Sequence, residues 1–184
     1  NCIYNCHLKP HISQLMNKHT NICLNVILDH SRHLLNRLHD NSIDVCFSYL
    51  ATNEISYKCI PYKTDEIIFV TNSQNIQFSN GIHNGEILHL PIIYSKFMPK
   101  SGFDWIHDIF PPHYVFQFTI SVIKEIIPFL LQYPYYAFLP RKLIEKELKD
   151  GLLIEIPLLD YHIPPLQSYI IMKSNAKYNP LDYF

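Results

Sequence analysis

The chain has 184 residues, 48% of them hydrophobic and 17% charged, enough to bury a substantial core as one domain or as two small lobes. Lys+Arg 15 against Asp+Glu 16 leave a net charge of -1, so no broad cationic surface is available to neutralise nucleic-acid phosphates. Only four glycines occur, which argues against Gly-rich phosphate loops, and the most apolar stretch, "IIPFLLQYPYYAFLP", is broken by Pro128, Gln132 and Pro134 short of a membrane span.

In chain order, "CIY" reads as a short strand, followed by a loop at Asn5 to His7. Pro10 suits the first turn of a helix that Ile12, Leu15 and Met16 continue to about His19. "CLNVIL" reads as a second strand. Ser31 can cap the next helix, whose Leu34, Leu35 and Leu38 make one apolar face, and "SIDVCFSYL" is a third strand. This β-α-β-α-β order predicts a parallel sheet. Strands at "YKCIPY" and "DEIIFVTN" then lead into the polar loop "SQNIQFSNGIHNGE".

A second unit begins beyond it. "LPIIYS" is a strand, "GFDWIHDIF" a helix bounded by Pro111 and Pro112, "YVFQFT" a strand, and "SVIKEIIPFLLQ" a helix kinked or shortened at Pro128. "YYAFLP" is a strand, "RKLIEKELKD" a charged helix ended by Gly151, and "LLIEIPL" and "LQSYIIMKS" are strands. Two similar α/β units predict two lobes with a cleft between them.

The five cysteines, Cys2, Cys6, Cys23, Cys46 and Cys59, are odd in number and lie mostly in apolar runs, which fits a reducing cytosol. The opening has no charged segment leading into an apolar one, so no signal peptide is expected. The chain is expected to be cytoplasmic, with no membrane partner.

"LNVILDHSRHLLNRLHDNSIDVCF" resembles a segment of LysR-type transcriptional regulators, in which a strand, a Ser-capped helix with paired leucines and an "ELDLAI"-like strand follow in that spacing. "YYAFLPRKLIEKELKDGLLIEIPL" is similar to the family's "GIALLPRSLVARELADGRLVPLPL" stretch, and "LQSYIIMKS" to the strand after it. The similarity runs over essentially the whole chain and covers the family's C-terminal effector-binding domain. It implies an α/β fold of two Rossmann-like lobes joined by two crossover strands, like type II periplasmic binding proteins. Lobe I would comprise residues 1–72 and 161–184, lobe II residues 73–160, with crossings near Thr71 and Asp160. The family's N-terminal winged helix-turn-helix is not in this sequence, so DNA contact is expected only through that absent domain.

Two departures bear on the ligand. "QYPYYAFLP" has Pro134 and tyrosines where the family often has a Gly before its "ALLP"-like strand. Ser48 and Tyr49 stand where many members carry an Arg, which argues against a small carboxylate held by a guanidinium fork.

In open α/β sheets, ligands bind at the carboxyl ends of parallel strands. The expected effector-binding residues are therefore Asn5, Cys6, His7, His30, Ser31, Ser48 and Tyr49 in lobe I, with Tyr94, Ser95, Lys96, Thr119 and Ser121 in lobe II. Ser31 and Ser121 can each equally be only a helix cap. Many Tyr, Ser and His but few Arg in these loops point to a neutral or aromatic metabolite. Cys6, His7 and His11 can approach one another, but no second ligand pair with conventional spacing accompanies them, so no metal or other cofactor is expected; a metal-dependent sensor is the third reading. No nucleophile elbow or catalytic dyad is recognisable, so no enzyme is expected. "RKLIEKELKD" reads as a solvated face and "YPYYAF" as core.

The resemblance implies an effector-sensing regulator domain that pairs side by side in antiparallel fashion, lobe I of one copy against lobe II of the other, through the helix from Pro10 to His19 and "SVIKEIIPFLLQ". Homotetramers are expected at full length. The alternative is a transporter's solute-binding protein, which shares the fold; upstream sequence encoding a winged helix-turn-helix or a lipoprotein signal would separate the two.

Overall fold

A computed structural model describes residues 2–95 and 105–176. Its chain divides into two units, Asn1–Thr64 with Gln167–Phe184, and Asp65–Leu166. The chain passes between them twice, inside strand β2 (Tyr57–Asp65) and at the start of strand β8 (Leu166–Lys173). No helix among the described residues is long and apolar enough to cross a membrane.

In unit 1, α1 (Lys9–Lys18) has Pro10 in its first turn, where the missing N–H needs no partner, and buries Leu15. Helix α2 (Ser31–His39) lays Leu34 and Leu38 on Cys46 and Ile171, with Ile27, Leu35 and Tyr169 packed around them. The sheet order is β1-β8-β2, where β1 is Val45–Ser48, and β1 runs antiparallel to β8 with Cys46 opposite Ile171. Ser174 bonds Ser56 at one end of the β2–β8 pair and Ser168 bonds Lys63 towards the other, the crossing order of antiparallel strands.

Two expectations for this unit change. The "CIY" strand is helical: Cys2 and Ile3 are α-helical and Tyr4–Leu8 π-helical, because Cys2, Ile3 and Cys6 recur at a helical rather than a two-residue period and are buried together. "CLNVIL" forms no strand, although its alternation is strand-like. Leu24, Val26 and Leu28 are 40%, 43% and 49% exposed, and among the described residues no backbone bond couples the stretch to a neighbour. A strand exists only when its N–H and C=O groups meet a second strand. The predicted β-α-β-α-β parallel sheet is accordingly absent among the described residues of unit 1.

In unit 2 the parallel pattern appears. Strands β4 (Ile93–Ser95) and β5 (Phe118–Ile120) run parallel, and a parallel bridge from Ile92 to Tyr136 joins β4 to β6 (Tyr136–Pro140). β6 pairs antiparallel with β3 (Ile67–Asn72), and β3 with β7 (Leu153–Glu155), giving the order β5-β4-β6-β3-β7. The two central strands are buried along almost their whole length, as expected where both sheet faces are covered. "YVFQFT" contributes only its last residues to β5.

The connecting helices follow local chemistry. α3 (Asn84–Ile87) closes with a capping box in which His83 N–H donates to Glu86. α4 is Trp105–Ile109, and the earlier part of "GFDWIHDIF" lies outside the described residues. A 3₁₀ turn over Ile123–Glu125 precedes α5 (Ile126–Gln132), so Pro128 falls in the first α-turn and the helix is shortened rather than kinked. Asn72 Nδ2 donates to the carbonyls of Leu130 and Leu131 at 3.1 and 2.8 Å, satisfying the open end of α5. "RKLIEKELKD" splits into a 3₁₀ turn (Arg141–Ile144) and α6 (Glu145–Lys149), ended by Gly151 at φ 68°.

Candidate functional site

In unit 1 the carboxyl end of β1 meets the start of α2. Tyr49 N–H donates to Ser31 Oγ at 3.3 Å, and Leu50 N–H donates to Ser48 Oγ at 2.8 Å. Ser31 is thus the first residue inside α2 rather than its cap; His30 occupies the cap position in extended conformation, and its N–H donates to Asp29 Oδ1 at 2.7 Å. That bond, with the His33 imidazole beside it, holds the Asp29 carboxyl below its usual range.

Asn5, Cys6 and His7 do not lie in a strand-to-helix loop, because the segment is helical. Cys6 is buried with its Sγ 3.8 Å from that of Cys2, while the His7 ring meets Tyr62 edge-on at 6.1 Å. Tyr62 also meets Phe47 of β1 edge-on at 5.3 Å, and burial raises its hydroxyl pKa. Ser31, Ser48 and Tyr49 are therefore brought together, and His7 joins a separate aromatic group. His11 lies exposed on α1. Among the described residues no group of three or more His, Cys, Asp or Glu is placed to hold a metal ion.

In unit 2 the register sets Tyr94 beside Thr119 and Ser95 beside Ile120 at the carboxyl ends of two parallel strands. Tyr94 stacks on Phe116 at 4.3 Å with 12° between the rings, and burial raises its hydroxyl pKa. Phe110 meets Phe116, Tyr114 and Phe138, so an aromatic wall stands behind this edge. Ser95 is 3% exposed, yet its Oγ has no hydrogen-bond partner among the described residues. A buried hydroxyl without a partner costs about 1–3 kcal/mol, so such a group invites a ligand atom or water.

Thr119 and Ser121 are exposed on the same edge. Ser121 is not a cap either, because Val122 precedes the 3₁₀ turn. Lys96 lies outside the described residues. Only the second half of "YPYYAF" is core: Tyr136, Ala137 and Phe138 are buried in β6, whereas Tyr133 and Pro134, ahead of the strand, are exposed.

Arg141 is the residue this reading of the loops passed over. It follows β6 directly, and because β6 is parallel to β4 it sits at the same carboxyl edge as Ser95. Its Nε and Nη2 donate to the Glu66 carboxylate, Nη2 also reaches Glu155, and its N–H donates to Glu66 O at 2.8 Å. The strand-end rule applied to "YYAFLP" finds it at once; grouping "RKLIEKELKD" as one solvated helix hid it.

Structures of the same fold are numerous. A full-length OxyR variant from Pseudomonas aeruginosa superposes with a TM-score of 0.72 at 13% identity, covering 99% of this chain and 63% of that one. The regulatory domain of CrgA, a LysR-type transcriptional regulator from Neisseria meningitidis, gives 0.74 at 13% identity, with 96% and 87% covered. The effector binding domain of a BenM variant gives 0.68 at 15% identity, with 100% and 87% covered. The chain thus spans less than two thirds of the full-length OxyR it matches. No curated protein matches in sequence. The family model described as the LysR substrate binding domain matches residues 1–181, and the chain belongs to that family.

Proposed function

We propose that the protein is the sensing part of a transcriptional regulator and that a small neutral or aromatic metabolite binds at the carboxyl ends of its parallel strands. Ser95 carries this reading. A buried hydroxyl without a partner among the described residues, at the carboxyl end of a strand with a parallel neighbour, offers one directional hydrogen bond to a small molecule. Thr119 and Ser121, exposed on the same edge of unit 2, are further candidate contacts. Arg141 is already engaged by two carboxylates, which disfavours an acidic ligand at that position.

Binding that favours one arrangement of the domain over another shifts their populations, and in a longer regulator that shift alters how DNA-binding domains are presented. The protein would act in the cytoplasm without catalysis or cofactor, and would touch DNA only through another domain. Copies would pair through the outer face of α1 and the end of α5, where Leu131 and Tyr133 are exposed, and tetramers would form at full length. The apolar face of α5, with Ile126, Ile127 and Leu130, is occupied by its own core, which restricts that contact to the helix end. Sedimentation analysis of the wild type and a Tyr133→Glu variant tests the pairing.

Thermal-shift screening against a metabolite library tests the site, because a compound that binds only the folded form raises the melting temperature by mass action. A compound giving such a shift is expected to lose it with Ser95→Ala, which removes the hydroxyl at almost unchanged volume. An undiminished response in that variant places the ligand elsewhere.

A further inference from the structure

Cys2 and Cys6 stand one turn apart at the start of the described chain, both buried at 3% and 4% exposure, with their sulfurs 3.8 Å apart. The turn that carries them is irregular. Tyr4–Leu8 is π-helical, and Lys9 N–H bonds Tyr4 O across five residues rather than four. The remaining cysteines are differently placed: Cys23 is exposed, Cys59 lies on β2, and Cys46 is buried in β1, where desolvation, with Cys59 adding to it, pushes its thiol up to about 12.

We propose that Cys2 and Cys6 form a thiol-oxidation site that closes to an intrahelical disulfide, giving the protein an input separate from its effector. A hydroperoxide of the type ROOH oxidises one thiol to a sulfenic acid and leaves as the alcohol, or as water when the oxidant is hydrogen peroxide. The second thiol then displaces the sulfenic hydroxyl as water, forming the Sγ–Sγ bond. The two thiols together lose two electrons and two protons, which the O–O bond accepts. Burial of both sulfurs restricts the oxidant to a small molecule.

The step has a structural consequence. Side chains four apart on a helix hold their Cβ atoms about 5–6 Å apart, whereas a disulfide draws them to about 3.8 Å. Oxidation must therefore deform the turn, and the bond from Lys9 to Tyr4 carries the deformation to the start of α1.

Peptide mapping tests this on the purified protein, reduced and then treated with equimolar hydrogen peroxide. Thiols are blocked with iodoacetamide before reduction and blocked with N-ethylmaleimide after it. The peptide carrying Cys2 and Cys6 is expected to lose two hydrogens, to resist iodoacetamide, and to take N-ethylmaleimide on both sulfurs after dithiothreitol. Cys2→Ser and Cys6→Ser should each abolish the protected pair, and the wild-type map stands alone if either variant fails to fold. Modification of both sulfurs by iodoacetamide while Cys23 is oxidised overturns the proposal, as does a disulfide joining either residue to Cys23, Cys46 or Cys59.

Discussion

"CLNVIL" in unit 1 and "DEIIFVTN" in unit 2 carry comparable apolar content, and they end in opposite situations. Ile67–Asn72 of the second is clamped between β6 and β7, with five of its six residues buried. The first forms no strand, and its Leu24, Val26 and Leu28 are 40%, 43% and 49% exposed. Local composition makes a segment able to become a strand, and neighbouring backbone groups decide whether it does. The same contrast separates the buried side chains of β3 from Leu24, Val26 and Leu28, although Ile27 between them packs against the cluster under α2.

The sharpest way to break that comparison is a pair of truncations. Leu139→Ala in β6, at 0% exposure, is expected to cost about 2–5 kcal/mol through lost burial and the cavity left behind. Leu28→Ala should change stability by no more than about 0.5 kcal/mol. Urea titration followed by circular dichroism measures both. The single tryptophan, Trp105, packs edge-on against Phe138 at 5.2 Å and reports on unit 2 alone. A large loss with Leu28→Ala would mean that the exposed stretch is covered by something after all.

Gly81→Ala should have the next largest effect. The residue holds φ 114°, and an added Cβ would lie 2.6 Å from Leu159 Cδ2 and 3.1 Å from Pro157 O. Backbone strain of this kind costs about 1–3 kcal/mol, and the bridge between Ile82 and Leu158 next to it should weaken, visible as faster amide exchange at Ile82. Arg141→Gln is expected to cost about 1 kcal/mol, because its ion pairs are substantially exposed and two carboxylates are left facing each other. The loss should shrink at high salt, as screening weakens the pairs.

The smallest expected effect is pH-dependent. His83 Nδ1 lies 2.9 Å from Asp160 Oδ1, and that hydrogen bond raises the histidine's folded pKa above its ordinary value of 6.5, with Glu86 adding to it. The contribution is therefore complete below 6.5 and is lost as pH rises through the raised folded value. Asp160, held low by the same bond and by Asn84 N–H, keeps its contribution until pH falls through its lowered value. Histidine titration by NMR checks this: Asp160→Asn should return His83 towards the ordinary value.

Much of unit 2 was legible because its signals were redundant. A buried strand such as "YYAFLP" has length, apolar content and a flanking Pro–Arg boundary that all agree, and Gly151 marks its helix end unambiguously. In unit 1 the signal at Cys2 to Tyr4 was three residues long, too short for period two to be told from period 3.6. For the site, the strand-end rule found Ser95 and Ser48. It could not say that the Ser31 hydroxyl accepts from Tyr49 N–H while that of Ser95 meets no partner among the described residues, since a partner eighteen residues away leaves no local trace.

The sequence by itself determined the alternation of helices and strands in unit 2, the family to which the chain belongs, and the strand ends at Ser48 and Ser95, because each of these is written in local period and spacing. Tertiary structure alone decided which alternating segment found a partner, which serine was left wanting one, and that Arg141 would be held by Glu66 and Glu155. Those outcomes depend on groups brought together from distant parts of the chain, and hydrogen bonds and ion pairs form only between atoms within a few ångströms of each other.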